Sequence, residues 1–284
     1  MPRFLFWNYR YDGPDREEIL AGLVRDLAID VVILAEASVD DPSLLVRFNA
    51  GDRTFRAMPT PHKYIKIYAG YPDGFFSGWN RDEGRLCLRG LNFPDHPEII
   101  LGALHLKSGR YAERAERREH AVPAASAVRE AQRFFKHARV IITGDFNLNP
   151  YDEGMISPSG FGAMTSKTLV KKYVFHQGDR FSRLYNPSWR ILGRPPSKGP
   201  PGTYYWDAHR PFNTYWNCLD QVLVGHDLLD RFPDDGFRIL TAIPGRSGGR
   251  SLIRETRQHW YLDEISDHLP LVFDLDFSSE VIHD

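Results

Sequence analysis

The chain has 284 residues, 42% of them hydrophobic, and a formal charge of −1 built from 36 Lys and Arg against 37 Asp and Glu. That length is within reach of one large core, the apolar content excludes a disordered chain, and near-neutrality still allows a polyanionic substrate where cations are locally concentrated. Cys87 and Cys218 are too few for a disulfide scaffold and make no zinc pattern, and neither a signal peptide nor a run of about 18 apolar residues is present, so a soluble, cytoplasmic protein is expected.

Phe4 to Trp7 reads as a short strand that ends at Asn8. Residues 15–28 place Ile19, Leu20, Leu23, Val24 and Leu27 at helical spacing. Asp30 to Leu34 reads as a buried strand leading to Glu36. Residues 54–93 hold short aromatic and β-branched segments split by Pro, Gly and Asp, the pattern of antiparallel strands and turns. Ile99 to Leu106 is a strong strand leading into His105, Lys107 and Ser108. The stretch 111–137 is helical in tone, broken or bent near Pro123. Val140 to Thr143 is a strand closed by Gly144, which delivers Asp145 and Asn147. The Pro- and Gly-rich stretch from Gly193 to Gly202 reads as a surface loop. Asp220 to Val224 and Pro270 to Leu275 are further strands, the second preceded by Ser266-Asp267-His268. Strands dominate, with a few helices between them and no repeat or linker, so residues 1–284 are expected to form one α+β domain of sheets covered by outer helices.

Most of these strands end or begin at polar groups that suit a divalent ion: Asn8, Glu36, His105, the Asp145/Asn147 pair, Asp220 and the Asp267/His268 pair. Each also has an ordinary reading. Asn8 alone is a turn former, Glu36 a helix cap, His105 a satisfied core histidine, and Asp145 with Asn147 an Asx turn. Asp220 could pair with an arginine, and Asp267-His268 could be a loop hydrogen bond. The shared pattern outweighs the separate readings, because a buried strand needs none of these residue types for stability. Carboxylate and carboxamide oxygens suit a hard ion, magnesium or manganese.

The segments FLFWN at 4–8, DVVILAE at 30–36, ALHLKS at 103–108, IITGDFNLNP at 141–150, LDQVLV at 219–224 and SDHLPLVFDL at 266–275 resemble, in order, the endonuclease/exonuclease/phosphatase superfamily. That is the DNase I-like fold of nucleases, sphingomyelinase-like enzymes and inositol-polyphosphate phosphatases. The resemblance implies a four-layer α/β sandwich, two packed and mainly antiparallel sheets flanked by helices. It implies Mg2+ or Mn2+ held by Glu36 with Asn8 and Asp267 nearby. Asp145 resembles the aspartate that orients or deprotonates the attacking water, and Asn147 its companion. His268 resembles the histidine facing the scissile phosphate, Asp220 the carboxylate orienting it, and His105 a second phosphate-facing histidine. One departure is visible: many members have glutamine before the metal-binding glutamate, and this chain has Ala35.

Substrate choice should lie between these anchors. Residues 166–212 hold nine Lys or Arg against two Asp, with nine aromatic residues interleaved, a composition suited to a polyanion whose bases stack. The same composition also fits aromatics in the core and cations on a solvated face. Candidate contacts are Lys107, Arg110, Arg183, Trp189, Tyr204, Tyr205 and Trp206, together with Arg250 and Arg254 in the Gly/Ser-rich segment before the SDH motif. The expected activity is metal-dependent hydrolysis of nucleic-acid phosphodiesters, DNA favoured over RNA. Two alternatives stand: a phosphodiesterase or phosphatase for a small or lipid-linked ester, and a non-catalytic nucleic-acid- or protein-binding module.

Overall fold

Strands buried on both faces read as unbroken apolar runs, and such runs frame the computed structural model. It describes residues 1–10, 14–60, 62, 65–83, 85–108, 114–170, 174–176, 178–207, 214–244, 249–255, 260–262 and 265–278. The strands of its two large sheets are β1 (Arg3–Asn8), β2 (Val31–Ala35), β3 (Arg56–Met58), β4 (Ile65–Ala69), β5 (Phe76–Glu83), β6 (Leu86–Leu91), β7 (Ile99–His105), β8 (Val140–Asp145), β9 (Ala163–Met164), β10 (Leu184–Tyr185), β11 (Asp220–Val224), β12 (Phe237–Ile239) and β13 (Leu271–Asp274). The six-stranded sheet has the order β12-β13-β1-β2-β4-β3, and the seven-stranded sheet β5-β6-β7-β8-β11-β10-β9. Three neighbouring pairs, β1/β2, β7/β8 and β9/β10, are parallel, and the others are antiparallel.

The period-2 alternation of a strand decides which face each side chain takes. In the second sheet Leu101, Ala103, Ile141, Val222 and Val224 share one core with Phe4, Phe6, Val31 and Ile33 of the first sheet. The intervening Ile100, Leu104, Val140, Ile142 and Leu223 pack instead with Ala121, Ala124, Ala125, Val128 and Ala131. Those five belong to helix α3 (Arg114–Phe135), which covers the outer face. Helices α1 (Pro14–Asp26) and α2 (Asp41–Phe48) bury Leu20, Leu23, Val24, Leu44 and Phe48 in the core of the first sheet. The result is an α+β sandwich of two mixed, mainly antiparallel sheets flanked by helices.

Two local expectations change. Helix α3 runs through Pro123 without a break. A proline in mid-helix removes one hydrogen bond, and the close seating of the flanking alanines on the second sheet offsets that loss. Glu36 caps no helix: α2 is capped by Asp40, whose carboxylate accepts from the Ser43 amide at 3.0 Å. The stretch 193–202 is the expected loop, with one 3-10 turn at Pro196–Lys198.

Candidate active site

The parity that buries Leu101 and Ala103 between the sheets carries His105 to the same face at the end of β7. It does the same for Asp145 on β8, which sits beside His105 in the parallel register, and for Asp220, which sits opposite Asp145. In the facing sheet, Asn8 follows Phe4 and Phe6 at the end of β1. His268 precedes β13, the antiparallel neighbour of β1. All five therefore meet at one mouth of the sandwich, and all are buried.

Glu36 and Asn147 need a further device. Simple alternation from Ala35 would turn Glu36 toward the helices, but its φ of 52° lies in the left-handed region and re-aims the side chain. Asn147 has φ 50° just beyond β8. Non-glycine residues held this way cost free energy and cluster at functional sites.

The polar contacts form one network. Asn8 Nδ2 donates to Glu36 Oε1 at 3.2 Å and to Asp145 Oδ2 at 3.0 Å. His105 Nε2 lies 3.3 Å from Glu36 Oε1 and 3.9 Å from Asp145 Oδ2. The Asn147 amide N–H donates to Asp145 Oδ1 at 2.8 Å, and its Nδ2 donates to the Leu106 carbonyl at 3.0 Å. His268 Nδ1 contacts Asp220 Oδ2 at 2.7 Å, and its Nε2 lies 4.0 Å from Asp145 Oδ2. Asp145 is thus the shared corner of two groups, Glu36/His105/Asp145 and Asp145/Asp220/His268, whose ligand atoms each lie within 4.8 Å of one another.

Electrostatics follow from this geometry. The hydrogen bond with His105, aided by Asn8, holds the Glu36 carboxyl down to about 2 against the opposing effect of burial. Burial pushes the Asp145 carboxyl up, and nearby Asp220 adds to the rise. Burial pulls the His268 imidazole down, yet Asp220 outweighs it and raises the group to about 10. Asp220 thus favours the charged form of His268.

The donor set fits a hard divalent ion. Glu36 and Asp145 offer carboxylate oxygens, and Asn8 Oδ1 is buried with no hydrogen-bond partner. Asp267 stands apart from both groups. Its carboxylate faces Arg10 at 3.3 Å on the rim, with both side chains partly exposed.

The substrate candidates divide by position. Tyr204 bridges the His268 backbone, and its ring centroid lies 4.8 Å from the imidazole. Tyr205 continues that ribbon against Trp216, and the Trp206 amide donates to the Tyr215 carbonyl at 2.8 Å. Arg254 is exposed on the ribbon 253–255/260–262, whose second strand lies against Tyr204–Tyr205. Arg250 is exposed one ribbon further along, and Lys107 is exposed just beyond His105. Arg183 is not brought to the site. It precedes β10, whose Tyr185 pairs with Val224, the end of β11 remote from Asp220. Trp189 starts a short helix with its indole N–H buried and without a partner. Arg110 lies outside the described residues.

Several supporting residues escaped the sequence reading. Ser266 Oγ donates to the Asn8 carbonyl at 2.7 Å and accepts from the His268 amide at 3.0 Å, tying β1 to the SDH turn. Trp7 Nε1 donates to the His268 carbonyl at 2.9 Å, and Thr203 Oγ1 accepts from the Asp220 amide at 3.1 Å. Ser266 and Trp7 flank recognised residues, whereas Thr203 carries no sequence signal.

Comparison with known proteins agrees with the fold. No curated protein sequence matches the chain. Among solved structures, truncated Caenorhabditis elegans TDP2 is 15% identical with a TM-score of 0.56, covering 96% of this chain and 97% of that one. The Neisseria 3' phosphatase NExo, solved bound to a product DNA hairpin, is 13% identical with a TM-score of 0.57, covering 98% and 100%. The human Nocturnin catalytic domain is 14% identical with a TM-score of 0.52, covering 97% and 94%. The family model described as Endonuclease/Exonuclease/phosphatase family matches residues 5–268, a span that opens on β1 and closes on His268, so the chain belongs to that family and carries its metal-dependent hydrolase architecture.

Proposed function

We propose that this protein is a divalent-metal-dependent phosphodiesterase that hydrolyses nucleic-acid phosphodiester bonds, with DNA favoured over RNA, through one catalytic domain spanning residues 1–284. The observation that carries the reading is the convergence of Glu36, His105, Asp145, Asp220 and His268 at one mouth of the sandwich. Two carboxylates bridged by one carboxamide, with an imidazolium alongside, is an arrangement aimed at a phosphate ester.

Glu36, with Asn8 Oδ1 at hand, would hold Mg2+ or Mn2+, which would supply charge stabilisation on the phosphoryl oxygens. Asp145 takes the role of base. Its raised pKa makes it a better proton acceptor from water than an exposed aspartate, and the Asn147 and Asn8 donors fix its orientation. Asp220 holds His268 charged, with Nε2 free to donate to a phosphoryl or leaving oxygen. His105 steadies Glu36 and presents a second imidazole to the phosphate. Tyr204, Tyr205 and Trp206 are the proposed base-stacking contacts, with Arg250, Arg254 and Lys107 as phosphate partners around the rim.

A smaller phosphate ester is the second reading, and one observation favours it. Lys167 and Arg190 of the basic aromatic segment both pair with Asp234, at 2.9 and 3.0 Å, so these two cations are engaged within the protein rather than offered to a polyanion. One panel separates the readings: labelled single-stranded DNA, duplex DNA and RNA beside a phosphomonoester, a lipid phosphodiester and an inositol phosphate. Each is run with Mg2+ or Mn2+, with EDTA, and with Asp145→Ala. Nucleic-acid cleavage that disappears with EDTA and in the variant is expected. Turnover confined to a smaller ester would replace the nuclease reading with the second one.

A further inference from the structure

At the opposite end of β8 from Asp145, a cleft of about 330 Å³ opens beside the C-terminal end of α3. Five residues along β8 separate the two ends, roughly 16 Å at the rise of a strand. Arg129, Gln132 and Arg133 line the cleft at the three- and four-residue spacing that puts them on one side of the helix, and Lys136 lines it just beyond the helix end. His137, Ala138, Ser182 and Asp227 complete it.

Two of these groups are buried donors with nothing to donate to. Gln132 Oε1 accepts from Ser182 Oγ at 2.9 Å, which fixes the amide and leaves Nε2 buried without a partner. His137 Nδ1 accepts the Arg139 amide N–H at 3.1 Å, which assigns the ring proton to Nε2, also buried and unpartnered. Buried donors of this kind are costly and call for an acceptor.

The charges point the same way. Arg129 donates to the carbonyls of Gly160 and Ser159 and lies over the Phe181 ring at 5.4 Å, with no carboxylate partner among the described residues. Burial, with Arg133 adding repulsion, lowers its pKa. The cleft has one carboxylate, Asp227, and both of its oxygens are engaged: Oδ2 accepts from the Ala138 amide at 2.7 Å and Oδ1 meets His226 Nδ1 at 2.8 Å. The α3 dipole favours cations at this end and accounts for Arg133 and Lys136. It does not account for the two buried donors or for Arg129.

We propose that this cleft is an anion site that binds a phosphate group, either free or carried by a nucleotide chain. Unpartnered N–H donors and cations lining one cleft match the acceptor oxygens of a tetrahedral phosphate.

Titration calorimetry of the full chain with inorganic phosphate, in EDTA and phosphate-free buffer, tests this. Arg133→Glu is expected to weaken binding about tenfold or more, the effect of one charge-assisted hydrogen bond. His268→Ala, which removes phosphate binding at the catalytic mouth, is expected to leave a binding event that Arg133→Glu weakens. Lys136→Gly keeps the measurement independent of folding. Lys136 has φ 57°, so glycine relieves strain, and affinity should fall while the melting temperature does not. A 5'-phosphorylated single-stranded oligonucleotide that displaces the phosphate would identify a nucleotide chain as the source, and failure to displace it a free or small phosphate. No binding by the native chain at millimolar phosphate, or binding lost in His268→Ala but kept in Arg133→Glu, would overturn the proposal.

Discussion

Asp220 shows how much a single carboxylate sets at this site. One oxygen contacts His268 Nδ1 at 2.7 Å, and Oδ1 is buried without a partner. Asp220→Asn removes the largest influence raising the His268 pKa, so that pKa should fall from about 10, read by NMR titration of the ring protons without metal. The sign for stability follows. A pKa raised on folding stabilises fully below 6.5, and that contribution is lost as pH rises through about 10, so the variant should lose this alkaline slope. Hydrolysis by the variant should fall by about 10²–10⁴-fold. An unchanged His268 titration would remove Asp220 from its assigned role. Asp267 gives the contrasting case, since Arg10 rather than the Glu36 group is its neighbour. Glu36→Gln should weaken Mn2+ binding by about 10–100-fold or more, while Asp267→Asn should change it far less, as measured by calorimetry. Equal losses would return Asp267 to the metal.

At the scale of elements, the close parallel pairing of β7 and β8 depends on Gly144. A Cβ there would overlap the Leu104 carbonyl, so the strands could not keep their spacing. Gly144→Ala should cost about 1–3 kcal/mol or more in urea unfolding and should depress activity by displacing Asp145 from His105. Full stability and activity in this variant would show that the pair tolerates the separation. The strand ends were legible in sequence because an apolar run that stops at Asn8, Glu36, His105 or Asp145 combines two readable signals: burial and a polar terminus. The aromatic segment was not. Tyr185 is core, Arg190 is tied to Asp234, and Tyr204 lies on the catalytic mouth, yet all three look alike in composition. Only tertiary packing distinguishes an aromatic in the core from one beside a site. The same holds for the re-aiming of Glu36, because a left-handed glutamate has no sequence signature.

Across the whole molecule, burial is deep enough to silence both thiols. Cys87 and Cys218 are fully buried, and burial pushes each up to about 12. The native protein should therefore react with neither equivalent of a thiol reagent at neutral pH, and two equivalents should react after denaturation. Because Cys87 lies in β6 and Cys218 two residues before β11, the labelling rate reports how often the second sheet opens at two places. Rapid labelling of the native chain would contradict the packing.

The pairing of β1 with β13 has a consequence for how the protein is made. Ser266 Oγ meets the Asn8 carbonyl across 258 residues of chain, and β1 waits for the much later β13 before that edge is covered. A growing polypeptide on the ribosome therefore holds Asn8 and Glu36 in place of a finished site, without His268 opposite them. Long-range closure of this kind is slow and leaves apolar edges exposed meanwhile. It also means that the Asn8 and Glu36 side of the mouth stands without its opposing histidine until the SDH segment has been made and has folded back against β1.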